Sequence, residues 1–298
     1  MTKPFISTIV RTYNRPERLR ECLQTLAAQT FDSFEVVVVN DAGEDVSEIV
    51  ADELSGVEHQ YLRNPVNRGR TANLNIGVNA AKGAYVSFVD DDDGVLPNYL
   101  QTLAGAARPQ NLPMVYSDVL NVTFQQDPQT HEWKRVQEQL VYSFDFEKDN
   151  FLLANYIPIN CWLVRKDCFA AVGPFDESLT VYEDWEFLIR LSRKFTFQHV
   201  REVTGEYRRR DDNSNILEQD SYKANERTVK RRYRRDRDAV FDPIFKSTFQ
   251  QQRETRQALQ QAQQHAQQNQ ILKQQMTEAQ RLIQDMQAQM RQLREGRT

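Results

Sequence analysis

Asp90, Asp91, Asp92 and Asp93 are consecutive and close an apolar run at 84–89. Four carboxylates in a row repel one another and add nothing to a fold. A divalent cation makes the arrangement favourable. Carboxylate oxygens suit hard ions such as Mg²⁺ and Mn²⁺, which also bind phosphates. The run before them is β-branched and aromatic, as in a strand buried in a sheet. In open α/β sheets, ligands bind just beyond the carboxyl ends of strands. The cluster therefore suggests a metal-dependent site for a phosphorylated substrate. A solvated acidic turn is the competing reading, because Asp is a common turn residue and Gly94 and Pro97 follow.

Two further groups could do chemistry. Arg68 and Arg70 flank Gly69 beside an expected helix start near Thr71. Helix amino termini and guanidinium groups both favour phosphate. A solvated basic loop is the alternative there. Glu183 and Asp184 open an amphipathic stretch at 182–193 that ends in Arg190 and Arg193. That polarity matches a helix dipole, which by itself accounts for the acids.

The elements that must position these groups alternate in the first half. Strands are expected at 5–10, 34–39, 58–62 and 84–89, with a further one at 114–120. Pro16 opens a helix whose apolar positions Leu19, Cys22, Leu23 and Leu26 follow helical spacing. A second helix is expected at 71–81, stopped by Gly83. The unbroken apolar run at 34–39 suits a central parallel strand covered on both faces. Alternating β and α elements imply a parallel sheet with right-handed crossovers. The second half is less regular. Strands are expected at 160–164 and 195–200, with helices at 166–172 and 182–193.

Composition sets limits. At 298 residues and 40% hydrophobic, the chain can bury a real core, as one large domain or two smaller ones. A net charge of −4 gives no global reason to bind nucleic acid. Cys22, Cys161 and Cys168 are odd in number and lack CxxC spacing, as expected of free thiols in a reducing compartment. No apolar stretch is long enough to cross a bilayer, and no signal peptide is expected. The expected location is cytoplasmic, with docking on the inner face of the cell membrane left open.

Five segments in order resemble glycosyltransferase family 2. They are Thr8-Ile-Val-Arg-Thr-Tyr-Asn-Arg15; Val38-Val-Asn-Asp-Ala42; Asn67-Arg-Gly-Arg-Thr-Ala-Asn73 with Gly77 and Lys82-Gly83; Phe88-Val-Asp-Asp-Asp-Asp93 with Pro97; and Glu183-Asp-Trp185. The resemblance covers roughly residues 4–210. It implies a GT-A fold, an α/β Rossmann-like mixed, mostly parallel sheet flanked by helices. It also implies a nucleotide-sugar donor, a UDP-sugar first of all, and inversion at the anomeric centre. Where the family often has Pro, this chain has Arg11.

The resemblance assigns residues to roles. Thr12, Tyr13 and Asn14 would contact the base and ribose, with helix capping by Asn14 as the plainer role. Asp41 would accept a hydrogen bond from the N3–H of uracil or thymine, or serve as an ordinary turn acid before Gly43. Arg70 would meet phosphate. Alignment on Pro97 places Asp90 near the ribose and Asp92 on a Mn²⁺ or Mg²⁺ ion bridging the diphosphate. Asp91 joins the donor set as the extra acid at the variable position, and Asp93 gives outer support. Asp184 would be the general base, taking the acceptor hydroxyl proton opposite the leaving group. Glu183 would orient the acceptor. Trp185 would stack on a sugar or fill the core. Many relatives carry a late metal-binding histidine after a Tyr-Arg pair. Here that region reads Tyr207-Arg208-Arg209-Arg210, and one arginine could hold the diphosphate instead.

The basic run at 226–237 suits either a solvated helix or a docking surface for an anionic leaflet or lipid diphosphate, with Val229 and Tyr233 as a small apolar face. From Thr255 to Leu293 an alternation of three and four gives a heptad seam, the mark of a coiled coil and a homo-oligomer. The expected organisation is a transferase domain at 1–215 (donor half 1–105, acceptor half 106–215), a helical linker at 216–248, and an association segment at 249–298. The expected activity is metal-dependent transfer of a sugar to a glycan or lipid-linked hydroxyl in bacterial surface glycan synthesis. The alternative is a non-catalytic assembly protein that recruits partners through its coiled coil. A nucleotidyltransferase is disfavoured, because the first strand is followed by no Gly-rich loop.

Overall fold

The computed structural model describes residues 3–210 and 220–238. The chain opens with β1 (Ile6–Thr12), α1 (Pro16–Ala27), β2 (Phe34–Asn40), α2 (Ser47–Glu53), β3 (Glu58–Arg63), α3 (Arg70–Ala80) and β4 (Tyr85–Asp90). Strands β3, β2, β1 and β4 lie side by side, all parallel. Every residue of β1 and β2 is buried, as runs covered on both faces require. Helix α1 buries Leu19, Cys22, Leu23 and Leu26, the stripe that its spacing predicts. Helix α3 lies close on β1. A Cβ at Gly77 would collide with the Ile9 side chain, so only glycine allows that approach.

The second half reverses direction. It comprises β5 (Gly94–Val95), α4 (Tyr99–Gln110), β6 (Met114–Gln126), β7 (Trp133–Tyr142), α5 (Lys148–Leu153), β8 (Trp162–Arg165), α6 (Cys168–Val172), α7 (Glu183–Ser192), β9 (Phe197–Arg210) and α8 (Asp220–Arg232). The sheet runs β3-β2-β1-β4-β8-β6-β9-β5, with β7 on the side of β6. Strand β8 pairs antiparallel with both β4 and β6, β7 is antiparallel to β6, and β9 is parallel to β6. The mixed sheet is as expected, but the expected mostly parallel pairing holds only from β3 to β4 and between β6 and β9; the other pairs are antiparallel. The β6–β7 connection is a hairpin, and a hairpin joins only antiparallel strands.

The core sits between this sheet and its helices. Phe88, Trp162, Phe175 and Phe187 meet there, with ring centroids 4.7–6.4 Å apart. Helix α8 packs on the same unit, Met1–Arg237. It buries Val229, and just beyond it Tyr233 is buried and donates to Glu186 Oε1 at 2.8 Å. Cys22, Cys161 and Cys168 are buried free thiols. Among the described residues, no helix is long and apolar enough to cross a membrane. The heptad seam lies outside the described residues.

Candidate active site

Strand ends build the site. In the register of the sheet, Arg11 of β1 sits beside Asp90 of β4, and Thr12 beside Asn40 of β2. These carboxyl ends open on a cavity of about 540 Å³. Its walls include Thr12, Tyr13, Asp41, Arg70, Asp90, Asp91, Asp92, Asp93, Glu183 and Asp184. The fold thus brings together the acidic run, the loop before α3 and the start of α7, which are far apart in sequence.

Arg11 is the hub. Its Nε donates to Asp90 Oδ1 at 2.6 Å and its Nη2 to Asp90 Oδ2 at 3.0 Å. Its Nη1 reaches Glu183 Oε1 at 2.6 Å and the Arg70 carbonyl at 3.3 Å. Burial opposes ionisation of Asp90. The guanidiniums of Arg11 and Arg70 overcome it and hold the carboxyl at about 2. Burial likewise opposes the charge on Arg11, and Asp90 and Glu183 raise its pKa in return.

The rest of the acidic run faces other partners. Asp91 accepts from Thr12 Oγ1 at 2.7 Å and lies 3.4 Å from Arg15 Nη1. Burial and the neighbouring Asp92 push its carboxyl up to about 6. Asp93 accepts from the Arg208 backbone N–H at 3.0 Å, and burial, Asp92 and Asp90 raise its pKa. Asp92 is the most exposed of the three acids Asp90, Asp91 and Asp92, at 29% of its side chain against 18% and 7%. Its Oδ2 lies 3.0 Å from Arg15 and 3.8 Å from Arg18. Its Oδ1 has no hydrogen bond among the described residues.

A metal fits this donor set in one way. Among the described residues, no three His, Cys, Asp or Glu side chains converge on one metal position. A protein-only cage is therefore not what the site offers. A hard ion held through Asp92 Oδ1, and completed by diphosphate oxygens and water, suits the chemistry. His199 lies elsewhere, between Asp118 at 2.7 Å and Asp145 at 2.8 Å, with its ring stacked on Tyr116.

Asp184 lines the same cavity as the acidic run. It is in the first turn of α7, whose N-cap Tyr182 takes a left-handed φ of 63°. Its Oδ1 accepts from the Trp185 N–H at 2.7 Å and its Oδ2 from Asn155 Nδ2 at 3.0 Å. The helix start alone would keep it ionised at low pH. Burial outweighs this, the charge of Glu183 adds to it, and the carboxyl rises to about 7.

Other expected site residues sit as follows. Asp41 is 3% exposed and accepts from Asn64 Nδ2, Arg68 N and Gly69 N at 2.8–3.0 Å. It organises the loop before α3 while still lining the cavity. Tyr13 is 48% exposed at the rim. Arg70 faces Asp90 at 3.2 Å and Glu183 at 3.6 Å.

Three expectations change. Asn14 does not cap α1, whose N-cap is Arg15, and it is absent from the cavity wall. Its side chain instead accepts from the Glu44 N–H at 2.9 Å. Trp185 fills the core, the second of the two roles expected of it, and does not line the cavity. It is 1% exposed, and its Nε1 donates to the Phe151 carbonyl at 2.7 Å. Glu183 turns inward to Arg11 rather than outward to a ligand.

Arg15, Tyr142 and Asn155 also line the cavity without any local sequence signal for a site role, and Arg11 shows in the sequence only as a departure from the family pattern. A charge within a wholly buried strand was the available signal for Arg11. Tyr142 and Asn155 lie in stretches with no periodic pattern.

The comparisons with known proteins agree with this architecture. The profile of Glycosyl transferase family 2 matches residues 7–173. This chain therefore belongs to glycosyl transferase family 2 and is a sugar transferase with the GT-A fold. It is 29% identical over 202 residues to the uncharacterized glycosyltransferase YwdF of Bacillus subtilis, covering 65% of this chain and 70% of that protein. It is 29% identical over 162 residues to the putative glycosyltransferase EpsH of the same organism, covering 50% and 47%. The fold is shared with S. aureus TarS 1–349 in complex with UDP-GlcNAc, at a TM-score of 0.54 and 19% identity over 70% of this chain. It is also shared with the mannosyltransferase PcManGT of Pyrobaculum calidifontis in complex with GDP-Man and Mn²⁺, at 0.50 and 16% over 68% of this chain. The chain spans 59% and 57% of those two solved chains.

Proposed function

We propose that this protein is a metal-assisted, inverting glycosyltransferase that moves a sugar from a UDP-sugar to a hydroxyl acceptor in bacterial surface glycan synthesis. One observation carries the mechanism. Asp184 faces the same cavity as the acidic run, with a carboxyl poised near 7 by burial and Glu183. A general base works best when its pKa lies near the operating pH. UDP as carrier is supported by the TarS structures with UDP and UDP-GlcNAc.

In this reading Thr12, Tyr13 and Asp41 border the nucleoside, and Asp90 supports the ribose. Arg70 lies beside the diphosphate, and Arg15 stands close to Asp92 at its edge. Asp92 would hold Mn²⁺ or Mg²⁺, which when bound supplies Lewis-acid stabilisation of the leaving diphosphate. Asn155 and the Trp185 N–H fix the Asp184 carboxylate. Asp184 then takes the acceptor hydroxyl proton as that oxygen attacks the anomeric carbon. The bond from that carbon to the UDP β-phosphate oxygen breaks, and UDP leaves with the bonding pair.

The organisation proposed is a transferase domain, a helical connector that includes α8, and an association segment at 249–298. The heptad seam supports self-association, and the basic run at 226–237 leaves docking on the inner membrane face open. The experiment is a screen of UDP- and GDP-sugars for nucleoside diphosphate release, with and without Mn²⁺. Release from at least one UDP-sugar, stimulated by the ion, is expected. Release from no donor, or release indifferent to chelation, overturns the reading.

A further inference from the structure

One wall of the cavity differs from the acidic run in carrying aromatic rings. It carries four half-buried tyrosines, Tyr142, Tyr182, Tyr207 and Tyr222. The Tyr182 and Tyr222 ring centroids are 4.7 Å apart, and Tyr142 meets Tyr207 edge-on at 6.4 Å. The hydroxyls of Tyr142 and Tyr207 have no hydrogen bond among the described residues. On β6, beside Tyr207, Asn121 Oδ1 is buried without a donor among the described residues. A buried acceptor without a partner is costly, and a ligand hydroxyl would satisfy it.

The three consecutive arginines at the end of β9 then separate. Arg208 is held by Glu206 at 2.9 Å and lies against Gly94. Arg210 pairs with Glu21 and sits over the Phe124 and Trp133 rings. Arg209 is exposed, lines the cavity, and has no carboxylate partner among the described residues. Its charge reaches the Tyr142 hydroxyl, which also feels Asp93 and Asp184.

We infer that this wall is an acceptor subsite for a sugar ring bearing an anionic group, a carboxylate or a phosphate ester. The inference rests on the glycosyltransferase reading above. A pyranose presents an apolar C–H face that packs on aromatic rings, and its hydroxyls match the unpaired Tyr142, Tyr207 and Asn121. Arg209, with no carboxylate partner among the described residues, is a fork for one anion of the ligand.

The test uses the full chain saturated with UDP. Methyl glucoside is titrated against methyl glucuronide and methyl glucoside 6-phosphate, and galactose-series pairs are treated in the same way. The members of each pair differ only in the group at C6, neutral in one and anionic in the other, and the uronate and phosphate arms tell the two anions apart. At least one anionic member should bind on the order of tenfold more tightly than its neutral partner. Arg209→Gln should erase that preference and leave UDP affinity unchanged. Tyr207→Ala should weaken both members of the pair alike. The inference is overturned if no sugar binds, if charge makes no difference, or if the preference survives in Arg209→Gln. A fall in UDP affinity in Arg209→Gln also overturns it, because the arginine would then read the donor. Failure of UDP itself to bind wild type would instead strike the donor assignment.

Discussion

Arg11 Nη1 lies 2.6 Å from Glu183 Oε1, and the same guanidinium grips Asp90 through both carboxylate oxygens. One buried cation thereby ties the end of β4 to the start of α7, and so the donor acids to the base. Removing one member of a buried ion pair leaves the other uncompensated, at a cost of about 3–5 kcal/mol. Arg11→Met should lose that much in urea unfolding. Arg11→Lys keeps the charge but not the fork, so it should lose less. Arg11 also lowers the Asp184 carboxyl pKa. In Arg11→Met the acid limb of the rate profile should therefore move to higher pH. An unshifted limb would limit Arg11 to holding the fold.

Asp92 lines the cavity, and its Oδ1 has no hydrogen bond among the described residues. Asp92→Ala should bind UDP alone much as wild type does, and lose the gain that Mn²⁺ adds. Calorimetry with and without the ion checks this. A metal-dependent gain that persists in the variant would move the ion to another acid. Thermal unfolding of the variant should stay close to wild type, since Asp92 is only partly buried and meets arginines at the surface.

The order of elements was legible where burial writes a period. The α1 stripe Leu19, Cys22, Leu23 and Leu26 and the apolar run of β2 are such places. Helix α4 went unread, with Pro109 inside its last turn. Strand β7 went unread because Trp133–Tyr142 is exposed along most of its length and lacks alternation. The site was legible where charge is locally dense, at Asp90–Asp93 and at Glu183–Asp184. Arg11 looked like a minor variation, because its partners lie 79 and 172 residues away. The Asp184 pKa could not be read from its helix position, since burial and Glu183 act through space.

The heptad seam predicts self-association. Light scattering of the full chain at micromolar concentration should give more than a monomer mass, and truncation near Phe249 should return the monomer. The truncated protein should keep UDP binding, because every cavity residue precedes Lys223. A monomeric full chain would remove the coiled coil from the proposal.

The base can be tested most directly through pH. Asp184 must be ionised to take a proton, and its carboxyl titrates near 7. Below that pH the protonated, inactive form dominates, and above it the carboxylate does. Single-turnover transfer should therefore rise about tenfold between pH 6 and pH 8 and then level off. Asp184→Asn keeps the shape and can still meet Asn155, but it cannot accept the proton. It should retain UDP affinity, lose about 10²–10⁴ in rate, and lose the acid limb as well. The lost limb separates a missing base from a disturbed helix start, which would slow transfer at all pH values and leave the limb in place. Proton NMR of the new linkage should show the anomeric configuration opposite to that of the donor. Retained configuration would overturn the single displacement proposed here, because one in-line attack on the anomeric carbon inverts it.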